Sequence, residues 1–428
     1  MSILGLLPML TLCVGFYFLI KLRFFFVLHP IRTVKKTFCE GFDKKARRSL
    51  TLALAGTLGV GNIVGVAYGI SVGGAGCLFW IFVSGIFSSV IKYCESSLSA
   101  NFSEDGRGGM MYVITRTMGR IGGALGKIYS VLCLFLAFFM GAALQSASVV
   151  GSAKESFGCS PYIFSIGFAF LVFLTVRGGA KKIESLTATL IPIATIVYIF
   201  LCIAVIATGE RSLMSVLSEV LNDAFSLRSM AGGVLAFLSS NSMREGFARG
   251  LLSNEAGAGT SSIAQSRAAG AHPAKVGLFG MCEVFFDTTL LCTLTGLSVL
   301  SSGVNFAKTG IETVIRAFAT LLSGIAAPTV FLLIFAFAYS TVVCWYFYAT
   351  EALCYLYGES KKGIFTALFF AFLLFGAEIP ESVLILFSDS TLFLMSILTL
   401  LTLIKNSERI VFLSERYGLL KSKHSDVR

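Results

Sequence analysis

The chain has 428 residues, 56% of them hydrophobic and only 13% charged, with a mean hydropathy of +0.84. A soluble domain carries about a quarter charged residues, so this composition excludes one and indicates helices packed in lipid. The formal net charge of +11 is ascribed to basic loops on one side of a membrane, not to nucleic-acid binding.

Apolar runs long enough to span, or nearly so, fall at about 3 to 20, 49 to 72, 75 to 99, 127 to 151, 160 to 177, 185 to 208, 230 to 250, 275 to 301, 324 to 350, 363 to 377 and 382 to 404. These predict an all-α polytopic membrane protein with 11 transmembrane helices. The first run lacks a basic leader and a small-residue cleavage site, so it is read as a retained helix. The second carries Ala53-Leu-Ala-Gly-Thr-Leu-Gly-Val-Gly-Asn-Ile-Val-Gly-Val66. Glycine inside a helix costs roughly 1 kcal/mol against alanine, and four at Gly56, Gly59, Gly61 and Gly65 predict a break. Unwound backbone in a bilayer must line a cavity or be buried in protein, so a broken span marks a binding site. The alternative is close helix packing through Gly61-xxx-Gly65.

With the N-terminus outside and the C-terminus cytoplasmic, 29 of the 34 Lys and Arg residues fall on the cytoplasmic side, counting helix ends and including Lys92, Arg244 and Arg249. This asymmetry sets the expected topology. After the first helix, the remaining ten segments divide into two fives, and the second five open with another glycine-interrupted stretch, Met230-Ala-Gly-Gly-Val-Leu-Ala236. Two broken spans at corresponding positions, entering from opposite sides, predict inverted repeats with a substrate site between them. The divisions expected are an N-terminal helix and basic loop over 1–48, repeats over 49–209 and 210–404, and a basic tail over 405–428.

Ionisable and polar residues at membrane depth are costly and mark function. Asp287 and Glu283, one turn apart, either couple to a cation or proton or are hydrogen-bonded structurally. Gln145 either holds a polar substrate or bridges helices. Ser340 and Thr341 either bond back to their own helix or, with unwound carbonyls from Ala55 to Gly59, complete an oxygen cage for a hard monovalent cation. Leu252-Ser-Asn-Glu-Ala-Gly-Ala-Gly259 reads as a cytoplasmic loop, either a helix cap or part of an inner gate including Asn254 and Glu255. The chain has 3 histidines, His29, His272 and His424, none in an apolar run, and no HExxH or GxSxG pattern, which argues against an enzyme. Eleven cysteines show no metal-ligand spacing.

At these residues the chain resembles the alanine or glycine:cation symporter family. The matching pieces, between about Phe38 and Tyr357, are Leu54–Val66, Gly73-Gly-Ala-Gly-Cys-Leu-Phe-Trp80, Lys92-Tyr-Cys-Glu95, Gly108-Gly-Met-Met-Tyr112, Arg249–Gly259, Phe286-Asp-Thr-Thr-Leu-Leu-Cys-Thr293 and Ser340-Thr-Val-Val-Cys-Trp345. The resemblance implies a LeuT-type fold, five plus five inverted helices after one extra N-terminal helix, in a plasma membrane of bacterial type. It implies import of a small neutral amino acid with a sodium ion, and neither an organic cofactor nor an obligate protein partner. Carried over to this sequence, the amides of Gly59 and Gly61 meet the substrate carboxylate at a helix N-terminus, with Asn62 supporting the turn. Gln145, Gly232, Gly233 and Trp345 line the pocket, and Ala55, Leu58, Phe337, Ser340 and Thr341 hold sodium. The chain departs from the family pattern at Val60, Met110, Ala142, Ala258 and Thr260-Ser-Ser262, which implies altered selectivity, for instance toward serine. The alternatives are proton coupling through Asp287 and Glu283 or, in another class, an amino-acid sensor or a channel.

Overall fold

Leucine, isoleucine, valine and phenylalanine in runs of twenty residues satisfy their backbone only as helices, and helices are what the chain forms. The computed structural model describes residues 3–39, 44–104, 106–158, 161–225, 240–268, 270–307 and 309–420. Among these there is no strand, only an isolated bridge between Glu104 and Arg107. The helices used below are α1 (Ile3–Lys21), α2 (Lys44–Thr57), α3 (Val64–Gly73) and α4 (Cys77–Asn101). They continue with α5 (Gly119–Phe157), α6 (Pro161–Val176), α7 (Gly179–Thr208) and α8 (Leu213–Ala224). Next come α9 (Asn241–Asn254), α10 (Pro273–Ser301), α11 (Gly310–Leu322) and α12 (Ala326–Tyr357). The last are α13 (Lys362–Phe375), α14 (Glu381–Lys405) and α15 (Ser407–Arg416).

Among the described residues, six stretches are long and apolar enough to cross a membrane: α4, α5, α7, α10, the stretch Gly310–Tyr357 and α14. α7 shows why such helices suit lipid. Ile193, Ile196, Phe200 and Ile203 stand exposed along one stripe while Thr187, Ile191, Tyr198 and Cys202 are buried on the other.

Two packings position the site. α4 and α10 run antiparallel at close range: a Cβ on Gly277 would lie 2.0 Å from Ser97 Oγ, and one on Gly85 would lie 2.7 Å from Thr289 Oγ1. α9 runs parallel to α4 on its other side, with Gly246 against Trp80 and Gly250 against Ser84. Small residues let these backbones approach, as expected for helices associating in lipid. α12 packs against α2, α5 and α7, and Gly56 admits Tyr348 of α12, whose hydroxyl would sit 2.6 Å from an added Cβ.

Lys92, counted from the sequence to the cytoplasmic side, is instead fully buried in α4. Its ammonium lies 3.5 Å from Glu283, and this pairing is what makes an interior lysine tolerable. Arg244 and Arg249 also move. α9 lies against α3, with Arg249 beside Gly69 and Glu245 beside Gly73, so these two arginines sit at the end of the bundle opposite Lys44–Arg48. The basic excess toward the Lys44 end survives the correction.

Candidate functional site

The first break is where the glycine cluster predicts it. The α2 ladder ends with Leu58 N–H donating to the Leu54 carbonyl at 2.7 Å, and Gly59 N–H turns back to Thr57 at 2.7 Å. Gly59 is extended, at φ −114° and ψ −166°, and a short tight turn over Val60–Asn62 leads into α3. The packing alternative fails at Gly61 and Gly65, where an added Cβ would meet nothing within 4 Å. At Gly59 it would meet Thr341 Oγ1 at 3.2 Å and the Gln145 amide at 3.5 Å.

Thr341 Oγ1 donates to the Leu58 carbonyl at 3.2 Å, so α12 touches the break directly. Ser340 donates to the Phe337 carbonyl at 2.8 Å and the Ala336 carbonyl at 3.1 Å, within its own helix. Ala55, Leu58 and Phe337 are buried. Gln145 Oε1 accepts from Val60 N–H at 3.5 Å, and its amide donates to the Met140 carbonyl at 3.4 Å. Just before Gln145 the helix widens to a π-helical stretch, Ala137–Ala143, a distortion often found at functional sites. Gly59 N–H, expected at the substrate carboxylate, is spent on Thr57 in this conformation. Leu58, Gly59, Asn62, Ile63, Tyr198, Leu291 and Phe337 line a crevice at the break that is too narrow to admit a water molecule in this conformation. Trp345 is fully buried and stacks on Gly141 of α5, against which an added Cβ would come within 2.5 Å.

A second break lies beside the first. α9 stops at Asn254, and Glu255 takes a left-handed conformation at φ +53°, unusual for a residue with a side chain. Gly257 and Gly259 follow at φ +93° and +75°, and at Gly259 an added Cβ would also meet Met110 Cγ at 2.2 Å. Helix resumes for one turn at Ser262–Gln265. That turn receives Ser49 of α2, whose hydroxyl donates to the Ala264 carbonyl at 3.2 Å, while α9 packs on α3. Each half of one broken helix therefore lies against a half of the other. The Leu252–Gly259 stretch, expected as a cytoplasmic loop, is buried inside the bundle from Ser253 onward, with Asn254, Glu255 and Ala258 at 0% exposure. Met230–Ala236, with Gly232 and Gly233, lies outside the described residues.

Asp287 ties the breaks together. Asn62 Nδ2 donates to its carbonyl at 3.2 Å and to its carboxylate. Ser253 of α9 and Thr288 each donate to Oδ2 at 2.8 Å, and Asn254 donates to Thr288 at 2.9 Å. Asp287 itself sits in a second π-helical stretch, Phe285–Cys292. The Asn62 side chain, expected to support its own turn, thus bonds to α10 instead, and its Oδ1 makes no hydrogen bond. Further along, Glu95 Oε1 accepts from Gly257 N–H at 2.6 Å, Thr260 donates to Glu255, and Gln265 donates to Glu283, the partner of Lys92.

Glu95, Lys92, Thr260, Gln265 and Tyr198 carry this geometry without having been singled out as site residues from the sequence. The signal for the first two is the Lys92–Glu95 spacing inside an apolar run, which places both on one helix face. Tyr198, whose hydroxyl lies 2.6 Å from Thr295 Oγ1, gave no signal distinguishing it from other aromatic residues. Outside the bundle, His272 caps α10, its Nδ1 accepting from Ala274 N–H at 3.2 Å. Burial, with a smaller contribution from Arg416, pushes its pKa below the usual histidine value.

Paired broken helices joined by an internal polar network, inside a bundle of apolar helices, define a membrane carrier. A family model described as "Sodium:alanine symporter family" matches residues 2–426, and the chain belongs to that family, a family of transporters and not of enzymes. It is 30% identical over 376 residues to the sodium/alanine symporter AgcS of Methanococcus maripaludis, covering 83% of this chain and 82% of that one. It is 29% identical over 335 residues to the sodium/proton-dependent alanine carrier protein of Bacillus sp. strain PS3, covering 74% of each. A crystal structure of a mutant Eremococcus coleocola manganese transporter shares the fold, with a TM-score of 0.55 at 14% identity over 87% of this chain and 78% of that one.

Proposed function

We propose that this protein imports a small neutral amino acid, alanine or glycine, by symport with sodium. The observation that carries the reading is the meeting of Thr341, the Leu58 carbonyl, Gly59 and Gln145 at one unwound point. Sodium would take the carbonyls of Ala55, Leu58 and Phe337 with the hydroxyls of Ser340 and Thr341. Those hydroxyls now donate to carbonyls, so a sodium ion would replace their protons as the partner of the same oxygens. The amino acid's carboxylate would lie against the Gly59–Gly61 turn at the N-terminal end of α3, where the helix dipole favours an anion, with Gln145 beside it and Asn62 behind. Gly232, Gly233 and Trp345 would bound the side-chain pocket.

The architecture proposed with it is LeuT-type: an extra N-terminal helix over 1–48, repeats over 49–209 and 210–404, and a tail over 405–428. Eleven spans would lie in a bacterial plasma membrane, with the N-terminus outside and the C-terminus cytoplasmic. The side-by-side, oppositely divided breaks support the inverted arrangement, and the basic excess supports the orientation. In this reading the breaks are at 58–63 and 255–261. A second coupling ion has support of its own: the PS3 relative is named for sodium and proton, and Glu283, Asp287, Asn254 and Glu255 form a buried network next to the breaks.

The test is uptake of labelled alanine, glycine and serine into proteoliposomes under an inward sodium gradient, under equal sodium, and under a proton gradient alone. Concentrative uptake with the sodium gradient is the expected result. Uptake driven by protons alone would move the coupling to the carboxyl network, and no uptake under any gradient would reject the transport of these amino acids.

A further inference from the structure

The transport site uses the first break; the second is surrounded by ionisable groups that sodium and substrate leave without a role. Glu95, Glu255, Glu283 and Asp287 are all at 0% exposure, as is Lys92. Four carboxyl groups thus share one ammonium among the described residues of this network. A carboxylate removed from water without a counter-charge is costly enough that it takes up a proton instead, so charge balance alone requires exchangeable protons here.

The bonding shows where. Glu283 Oε1 also makes no hydrogen bond but faces the Lys92 ammonium at 3.5 Å, while its Oε2 receives Gln265, and Asp287 is saturated by Asn62, Ser253 and Thr288. Glu95 and Glu255 differ. Each uses one oxygen on the unwound stretch, Glu95 Oε1 on Gly257 N–H and Glu255 Oε2 on the Thr260 hydroxyl. The other oxygen of each, Glu95 Oε2 and Glu255 Oε1, is buried with no hydrogen-bond partner. The groups facing them are Lys92 and Cys94 from α4, Glu283 and Asp287 from α10, Tyr129 and Cys133 from α5, and Cys344 and Tyr348 from α12.

We propose that Glu95 and Glu255, which flank the second break, form a proton-binding site whose occupancy sets how tightly that break is held. An ionised Glu95 is a strong acceptor for Gly257 N–H, since a charged partner roughly doubles the strength of such a bond. A proton delivered by hydronium to the bare oxygen neutralises the carboxylate, weakens the grip on Gly257, and frees the 255–261 stretch to move. No other bond is made or broken. The inference deepens the transport reading above and rests on it for its consequence in the transport cycle; the proton site itself stands on the geometry.

The test uses the full chain in proteoliposomes. Infrared difference spectra between about pH 8.5 and about pH 5.5, a range wide enough to bracket a coupled carboxyl group, should show buried protonated-carboxyl bands. One should vanish in Glu95→Gln and another in Glu255→Gln. Sodium-driven alanine uptake by the wild type should change by about tenfold over that range, as for one obligatory protonation state, and the change should flatten in both variants. Bands that persist in both variants, or a pH profile of unchanged shape, would overturn the proposal. If the glutamine variants do not fold, Glu95→Asp and Glu255→Asp keep a carboxyl group and must shift the bands; unshifted bands also overturn it. Vesicles that show the bands and their loss but transport nothing reject the transport reading and leave the proton site standing.

Discussion

The two breaks lie side by side and differ in their chemistry. Around 58–63 the partners from α12 and α5 are neutral, the Thr341 hydroxyl on the Leu58 carbonyl and the Gln145 amide on Val60 N–H, with Asp287 reached through Asn62. Around 255–261 the Tyr129 and Thr399 hydroxyls on the Ala258 carbonyl are joined by carboxyl groups, Glu95, Glu255 and, one layer out, the Lys92–Glu283 pair. Neutral oxygens suit a hard monovalent cation and a zwitterion, whose own charges need dipoles without a competing fixed charge. Carboxyl groups that share one ammonium suit a proton. In the proposed reading the bundle separates what is carried from what governs the carrying, and Asp287, bonded to Asn62 and Ser253, bridges the two breaks.

Substitutions on either side put this contrast to the test. The largest effect belongs to the ionisable side: Lys92→Met strands Glu283 without its cation, and losing one partner of a buried pair costs about 3–5 kcal/mol. Thermal unfolding in detergent should show it, and adding Glu283→Leu should restore much of the loss; a Lys92→Met protein as stable as wild type would contradict the pairing. Next, Gly259→Ala meets Met110 and an unfavourable φ, so it should lower stability by about 1–3 kcal/mol. By contrast Gly61→Ala, which meets no atom, should leave folding within about 0.5 kcal/mol, and equal losses in the two variants would erase the contrast. Third, the double variant Ser340→Ala with Thr341→Ala should raise the sodium concentration needed for half-maximal uptake by at least about tenfold, equivalent to 1.4 kcal/mol, with unfolding little changed. An unaltered sodium requirement would remove these hydroxyls from the ion site.

The smallest effect lies outside the bundle. His272 has a depressed pKa in the folded protein, so the unfolded chain binds its proton more readily. Its contribution is therefore full above the ordinary histidine value of about 6.5 and declines as pH falls below it. A slight acid-side fall in the unfolding temperature should be present in the wild type and reduced in His272→Asn, which keeps a capping acceptor without the titration.

Much of the fold was legible because lipid imposes a simple rule: long apolar runs must be helices. The runs at 75 to 99 and 382 to 404 became Cys77–Asn101 and Glu381–Lys405. The first break was legible because glycines crowded into one span weaken a helix whatever surrounds it. Leu252–Gly259 reads as a cytoplasmic loop because Ser253, Asn254 and Glu255 lower the hydropathy of an interior segment. The sequence cannot display that Glu255 is met by Thr260, or that Asn254 is met by Thr288 and Ala256. The burial of Lys92 is hidden from the sequence for the same reason: the partner that keeps it inside lies 191 positions away, at Glu283.

The π-helical turns also govern how the site can change. Each residue of a helix turns the next by about 100°, so the widened turn at Ala137–Ala143 works as a register device for everything after it. Deleting one residue there, Phe138 for example, would let the helix close to ordinary pitch and swing Gln145 away from Val60 without altering any side chain that touches the break. The same holds for Phe285–Cys292 and the aim of the residues that follow it toward Tyr198, among them Thr295. In this protein the direction in which a residue beside the break points is encoded by residue count as well as residue type, so insertions and deletions of a single position can re-aim it in ways that substitutions do not.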